Sequence, residues 1–326
     1  MKQKLLLMFI VALLPLAGWS ADKAYAVFDK ETGQMTFYYG EMPSGDNVYE
    51  VEDGAEQITD WEFREEFDPT SVSKIVFDSS FEEFKPSMVL WFHGLSSLTE
   101  IEGLENLDTS EATKISFYNC SNLESLDLSH FNTSNVTRVM FQGCSSLTSL
   151  DLSSFDTSKV TTMASMFKDC SNLESITIDN YKFKTDLVET MYDMFYGCNK
   201  LTSLDVSSFN TEKVTTMLGM FEGCSSLTSL NVSGFNTANV THMGSMFDGC
   251  SNLSTLDVSH FNTANVTGMN GMFHGCSKLS SLDVSGFDTG KVTNMLGMFR
   301  DCSGLTSLNV SQFNTANVTG MASMFY

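Results

Sequence analysis

Proline is scarce in this 326-residue chain: Pro15, Pro43, Pro69 and Pro86 are the only four, so the last 240 residues have none. A backbone that keeps every amide donor over such a length suits stacked, hydrogen-bonded segments. Positive charge is scarce too. Eighteen Lys and Arg face 40 Asp and Glu, a net charge of −22, which repels phosphate polymers and anionic lipid surfaces and argues against nucleic-acid and bilayer-surface partners. Most of the excess is local, with 22 acidic and 5 basic residues from Asp22 to Thr113. No G-x-S-x-G elbow, H-E-x-x-H helix, P-loop or dinucleotide fingerprint occurs. The five histidines, His93, His130, His242, His260 and His274, are scattered. Catalysis needs different residue types converging on one point, and nothing here marks such a point, so neither an enzyme nor a bound cofactor or metal is expected.

Long apolar runs are also missing, apart from Leu5–Leu16 behind Lys2 and Lys4. That run is too short to span about 30 Å of hydrocarbon as a permanent anchor and reads as the core of an export signal over residues 1–21. Cleavage points lie after Ser20, Ala21 or Ala26, the last from the A-x-A pattern Ala24-Tyr25-Ala26. No cysteine lies near for lipoprotein acylation. The mature chain is expected to be soluble, outside the cytoplasm and not inserted in a membrane.

What is present is a period. Cys120, Cys144, Cys170, Cys198, Cys224, Cys250, Cys276 and Cys302 are spaced by 24, 26, 28, 26, 26, 26 and 26 residues, the signature of a repeat array and not of a disulfide framework. One unit reads C-S-x-L-x-S-L-D-V-S-x-F-N-T-x-x-V-T-x-M-x-x-M-F-x-G. The 24-residue copy omits two residues around Val139 and Met140, and the 28-residue copy adds two before Phe183. Residues 95–326 hold about nine units. Residues 22–94 read as a β-rich head and capping coil, with a hairpin of Ala26–Phe28 and Met35–Tyr39 around a Gly33 turn.

Within a unit, alternation such as Leu227, Leu230 and Val232 gives a short strand with one buried face, and successive units supply parallel strands. Val240, Met243, Met246 and Phe247 follow at helical spacing, with Thr237 as cap, so a short helix or a 3-10 segment is expected opposite the sheet. The fold class is thus a repeat solenoid with one short parallel strand per coil. Asn119, Gly143, Asp169, Gly197, Gly223, Gly249, Gly275 and Asp301 precede the cysteines. These types tolerate the left-handed backbone needed to leave one segment and start the next. The thiols and thioethers are expected as reduced core hydrophobes rather than Cu(I) ligands, and the N-x-S/T triplets, such as Asn239 and Asn265, as turn residues rather than glycan acceptors.

The stretch from Leu147 to Cys170, L-T-S-L-D-L-S-S-F-D-T-S-K-V-T-T-M-A-S-M-F-K-D-C, resembles the repeat of BspA-like leucine-rich-repeat surface proteins, also found in mycoplasma surface lipoproteins. The resemblance covers Leu95 to Tyr326. It implies a bacterial surface or secreted solenoid associated with adhesion to host proteins or cells. The polar rows between the buried strand residues are the expected partner face, centred on Asp127, Asp151, Asp205, Asn231, Asp257, Asp283 and Asn309. The 28-residue unit adds Tyr181 and Lys182, an aromatic and a cation on an insertion. The expected partner is a host extracellular or cell-surface protein. Alternatives are a structural or antigenically variable coat component, or a weak carbohydrate- or cation-binding solenoid.

Overall fold

A computed structural model describes residues 23–54 and 67–325. The expected signal peptide lies outside the described residues. Ala26 does not: it is buried in the first strand, so cleavage after it would remove half of that strand.

The head begins with the expected hairpin, β1 (Lys23–Asp29) against β2 (Gln34–Gly40), with Gly33 in the left-handed region at φ 71°. β3 (Val48–Glu50) pairs with β1, while β4 (Lys74–Phe77) lies parallel to β2 and β5 (Glu100–Glu102) parallel to β4. The resulting five-stranded sheet has the order β3-β1-β2-β4-β5. The hairpin therefore covers the open edge of the first coils by strand addition, and one sheet runs through the 94/95 boundary. Phe37, Phe77, Phe81 and Trp91 seal the junction as a buried aromatic cluster.

From Cys120 onward, coil stacks on coil around one continuous core, and the chain is a leucine-rich-repeat-like solenoid. Phe117, Phe141, Phe167, Phe195, Phe221, Phe247, Phe273 and Phe299 form a spine of near-parallel rings, with centroids 5.3–5.9 Å apart and interplanar angles of 11° or less. Offset rings at this spacing attract beyond their area burial. Beside the spine run the thiols. Each cysteine Sγ donates to the carbonyl of the spine Phe, or of Phe92, in an earlier coil at 2.9–3.2 Å. Seven of the eight are buried, Cys302 being half-exposed.

The segment opposite the leucines corrects the helical expectation. Val240, Met243, Met246 and Phe247 do point inward, but the backbone carrying them is neither α-helix nor 3-10 helix. It is a string of tight turns whose amides bond to the next coil: Met217 N to His242 O, Gly219 N to Gly244 O, Phe221 N to Met246 O and Gly223 N to Asp248 O, at 2.7–3.0 Å. Parallel bridges link Thr162, Thr190, Thr216, His242, Gly268, Asn294 and Gly320 in one file. The cause is a second left-handed residue in each coil. Ser165, Asp193, Gly219, Ser245, Gly271, Gly297 and Ser323 all have φ between 51° and 63°, which reverses the backbone before a helical turn can propagate. In the coils two residues shorter here, the same segment is flat and forms the parallel strands β6 (Lys114–Ser116) and β7 (Arg138–Met140). From Cys120 onward, among the described residues, the L-x-S-L-D-V segments pair as regular strands in one place, β8 (Ser149–Leu152) with β9 (Ser175–Ile178), plus a Ser229–Thr255 bridge. Thr237 is likewise not a helix cap. Its Oγ1 donates to Asn262 O at 3.0 Å and accepts from Asn262 N at 2.8 Å, a clasp onto the next coil.

The residues before the cysteines are as expected. Asn119, Asp169 and Asp301 lie at φ 57–60°, and the five glycines at 68–77°.

Candidate interaction surfaces

The strand-side rows are exposed, and each acidic or amide residue in them closes a local turn. Oδ1 of Asp127, Asp151, Asp205, Asn231, Asp257, Asp283 and Asn309 accepts from the amide two residues on, at 2.9–3.2 Å. These are Asx turns that carry the chain out of the strand. The same bonds hold the five carboxyls below the usual carboxylate range. The Ser129 and Ser153 amides lead for Asp127 and Asp151, and the Ser207, Ser259 and Ser285 hydroxyls for Asp205, Asp257 and Asp283. The rows thus have a structural cause, and each aspartate still turns negative charge toward solvent. Asp151, Asn231, Asp257, Asp283 and Asn309 line none of the clefts described here. Asp127 borders a polar cleft of about 370 Å³ with Glu100, Glu105 and His130.

Asp205 borders a different cleft, at the 28-residue coil. The Asp179 carboxylate accepts from Tyr181 N, its carbonyl accepts from Phe183 N, both at 2.7 Å, and Lys184 Nζ donates to Asn180 O at 3.1 Å. The turn so made presents Tyr181 at 88% exposure, with Lys182 exposed beside it. Beneath it Ile176, Ile178 and Leu204 are half-buried, whereas their counterparts Leu150, Leu152 and Leu230 are buried. Ile176, Ile178 and Leu204 line a cleft of about 240 Å³ together with Thr177, Asn180 and Asp205. Of the expected residues, Asp205 lines this cleft and Tyr181 and Lys182 directly follow Asn180 of its lining, which nothing in the repeat spacing foretold.

A third surface escaped the sequence reading. On the outside of the methionine segment, one column runs Lys168, Tyr196, Glu222, Asp248, His274 and Arg300, and a second runs Ala164, Tyr192, Leu218, Gly244, Asn270 and Leu296. All of the first column are at least partly exposed, as are Tyr192 and Leu296. Neighbouring coils interact through them. Lys168 Nζ sits 2.7 Å from the nearly buried Asp193 carboxylate and 4.5 Å from the Tyr196 ring centroid, and His274 Nδ1 lies 2.7 Å from Asp248 Oδ1. Asp248 is thereby only 23% exposed and bonded. Burial, then the Asp248 carboxylate, holds Glu222 above the usual carboxylate range. The available signal was the change of residue type from copy to copy at these positions.

The sulfur ladders are interior. Burial raises all eight thiols, Cys144, Cys198 and Cys250 to about 12. A protonated thiol is a weak nucleophile and a poor metal ligand. Among the described residues no group of three His, Cys, Asp or Glu side chains is placed to hold a metal ion, and no helix is long and apolar enough to cross a membrane. Asn135, Asn239, Asn265 and Asn317, all in N-x-S/T triplets, each donate a side-chain amide to a carbonyl of the preceding coil, as turn and clasp residues would.

Solved structures with a similar chain path include a leucine-rich cell surface protein from Faecalibacterium prausnitzii (15% identity, TM-score 0.32, covering 90% of this chain and 96% of that one). A leucine-rich repeat protein from Bacteroides ovatus is 16% identical (TM-score 0.29, 93% and 99% covered), and one from T. pallidum is 19% identical (TM-score 0.35, 62% and 86% covered). No curated protein sequence matches the chain. The family described as "Mycoplasma protein of unknown function, DUF285" matches residues 86–182, 172–257 and 242–326. With that match running through every coil of the solenoid, the BspA-like resemblance of the repeat stands and the chain belongs to this family.

Proposed function

We propose that the chain is an exported bacterial protein-interaction module that adheres to a host extracellular or cell-surface protein through its solenoid surface. One observation carries the reading. Repeat-invariant side chains are engaged in the scaffold, whereas the methionine-side column Lys168, Tyr196, Glu222, Asp248, His274 and Arg300 changes residue type at every coil and stays at least partly exposed. A scaffold that uses its invariant residues for stacking and varies an exposed column has the design of an extended recognition surface. Tyr192, Tyr196 and Arg300 on that face are of the types that dominate protein interfaces. The rows through Asp151, Asn231, Asp257, Asp283 and Asn309, and Asp127 before them, supply a second, weaker polar surface in which many equal contacts act together. The export signal expected over residues 1–21 supports a position outside the cell.

The test is binding of the purified chain to a panel of extracellular-matrix and host cell-surface proteins, with two surface variants. Tyr192→Ala with Tyr196→Ala and Arg300→Ala is expected to lower binding by more than about tenfold. Asp257→Asn with Asp283→Asn, which keeps the turn acceptors, is expected to lower it by less. Failure to bind any panel member, or binding that neither variant alters, defeats the proposal.

A further inference from the structure

We propose that the 28-residue coil and its neighbour form a self-association site, in which Tyr181 of a second copy enters the cleft beside Ile178 and Leu204 while Tyr181 of the first copy enters the second copy's cleft. Three features of one patch lead to this. The first is the projection. Tyr181 is the most exposed of the large apolar side chains described, at 88%, and its turn is fixed by the Asp179 and Asn180 hydrogen bonds, so little order is lost when the ring is captured. The second is the recess. An apolar cavity of about 150 Å³ accepts benzene, and this cleft, at about 240 Å³, has room for a phenol ring. Its walls include three aliphatic side chains left half-exposed, whose counterparts in other coils are covered. The third is charge. Lys182 stands beside the projection and Asp205 on the rim of the recess, and the Asp205 carboxyl stays ionised through its bonds to Ser207.

A two-fold interface demands a self-complementary patch, because residue i must meet residue j while j meets i. Projection, recess, cation and anion lie here on one patch spanning two neighbouring coils, so one two-fold axis pairs Tyr181 with the opposing cleft and Lys182 with the opposing Asp205. Two aromatic rings bury about 150–250 Å² each. With the cleft walls the total stays below the roughly 1,200 Å² of stable complexes, which makes the dimer concentration-dependent. The Tyr181–Lys182 turn is in this way assigned a partner distinct from any host protein.

The experiment is sedimentation equilibrium on the full chain from about 10 µM to about 1 mM, a range suited to small interfaces, with methyl NMR of Ile178 and Leu204 over the same concentrations. The expected result is an apparent mass rising toward twice that of the monomer, with ring-current shifts of both methyl sets. Tyr181→Ala should weaken association by about tenfold or more and abolish those shifts. Tyr181→Phe should preserve both. Asp205→Asn, which keeps the acceptor for Ser207, should weaken association and flatten its salt dependence. A chain that stays monomeric throughout, a dimer that Tyr181→Ala leaves unchanged, or methyl signals that ignore concentration would each overturn the proposal. A monomer that still binds a host protein would sink self-association alone and leave the adhesion reading standing.

Discussion

Alkali is expected to unfold this protein through its thiols. Cys144, Cys198 and Cys250 are fully buried, and burial pushes each up to about 12, against 9.0 for an ordinary thiol. Below pH 9 the thiols are protonated in both folded and unfolded chains, and the full stability is present. Between pH 9 and about 12 the unfolded chain releases protons that the folded chain retains, so stability falls as pH rises. Each thiol contributes a loss of about 1.4 kcal/mol per pH unit in that window, and the three together about 4 kcal/mol. A domain stability of about 5–15 kcal/mol is consumed within a few pH units at that slope. Urea unfolding followed by circular dichroism from pH 8 to pH 11 reads the fall directly, and thiolate ultraviolet absorbance reads the ionisation. Replacing one thiol, Cys250→Ser, should reduce the slope by about 1.4 kcal/mol per pH unit, while the tyrosines and lysines titrate identically in both proteins. Thiolate absorbance rising near pH 9 in a chain whose dichroism is unchanged would refute the reasoning.

Two further outcomes follow from the stacking. Gly249→Val places a β-branched residue at φ 70° and should cost about 2 kcal/mol or more. Asp248→Ala loses the contact to His274 and should cost less than about 1 kcal/mol, a ranking that thermal midpoints check. Phe221→Ala, from the middle of the spine, should cost about 3–5 kcal/mol, whereas Phe325→Ala, whose ring is 62% exposed and stacks on Phe299 alone, should cost about 1 kcal/mol or less. Equal urea midpoints for the two Phe variants would contradict a continuous ring stack.

Much of this architecture was legible in the sequence because each coil repeats a physical necessity. The cysteine period reports the coil length, and Asn, Asp or Gly before each cysteine reports a left-handed backbone. Gly33 between two alternating runs reports the hairpin. The methionine segment misled because Val240, Met243, Met246 and Phe247 share a helical periodicity, and periodicity records only which side chains face inward. Backbone path is decided by residues such as Ser245, whose positive φ a serine seldom adopts. The clasp of Thr237 onto Asn262 was equally hidden, since an N-cap and an inter-coil hydroxyl bond ask for the same residue. At the candidate sites, composition located Tyr181, Lys182 and Asp205 singly. Their placement at and beside one cleft depends on how two extra residues separate neighbouring coils, which is a property of packing. The Asp and Asn rows owe their regularity to Asx turns, so their recurrence alone said nothing about a partner.

Residue-resolved amide hydrogen exchange addresses the stacking most directly. The amides of Met217, Phe221 and Gly223, all donating to the next coil, are expected to exchange only through global opening. Those of Ser281 and Asp283, on the strand side and outside its ladder and bridge, should exchange much faster. The reverse ranking, with the strand side protected and the methionine side open, would contradict the account.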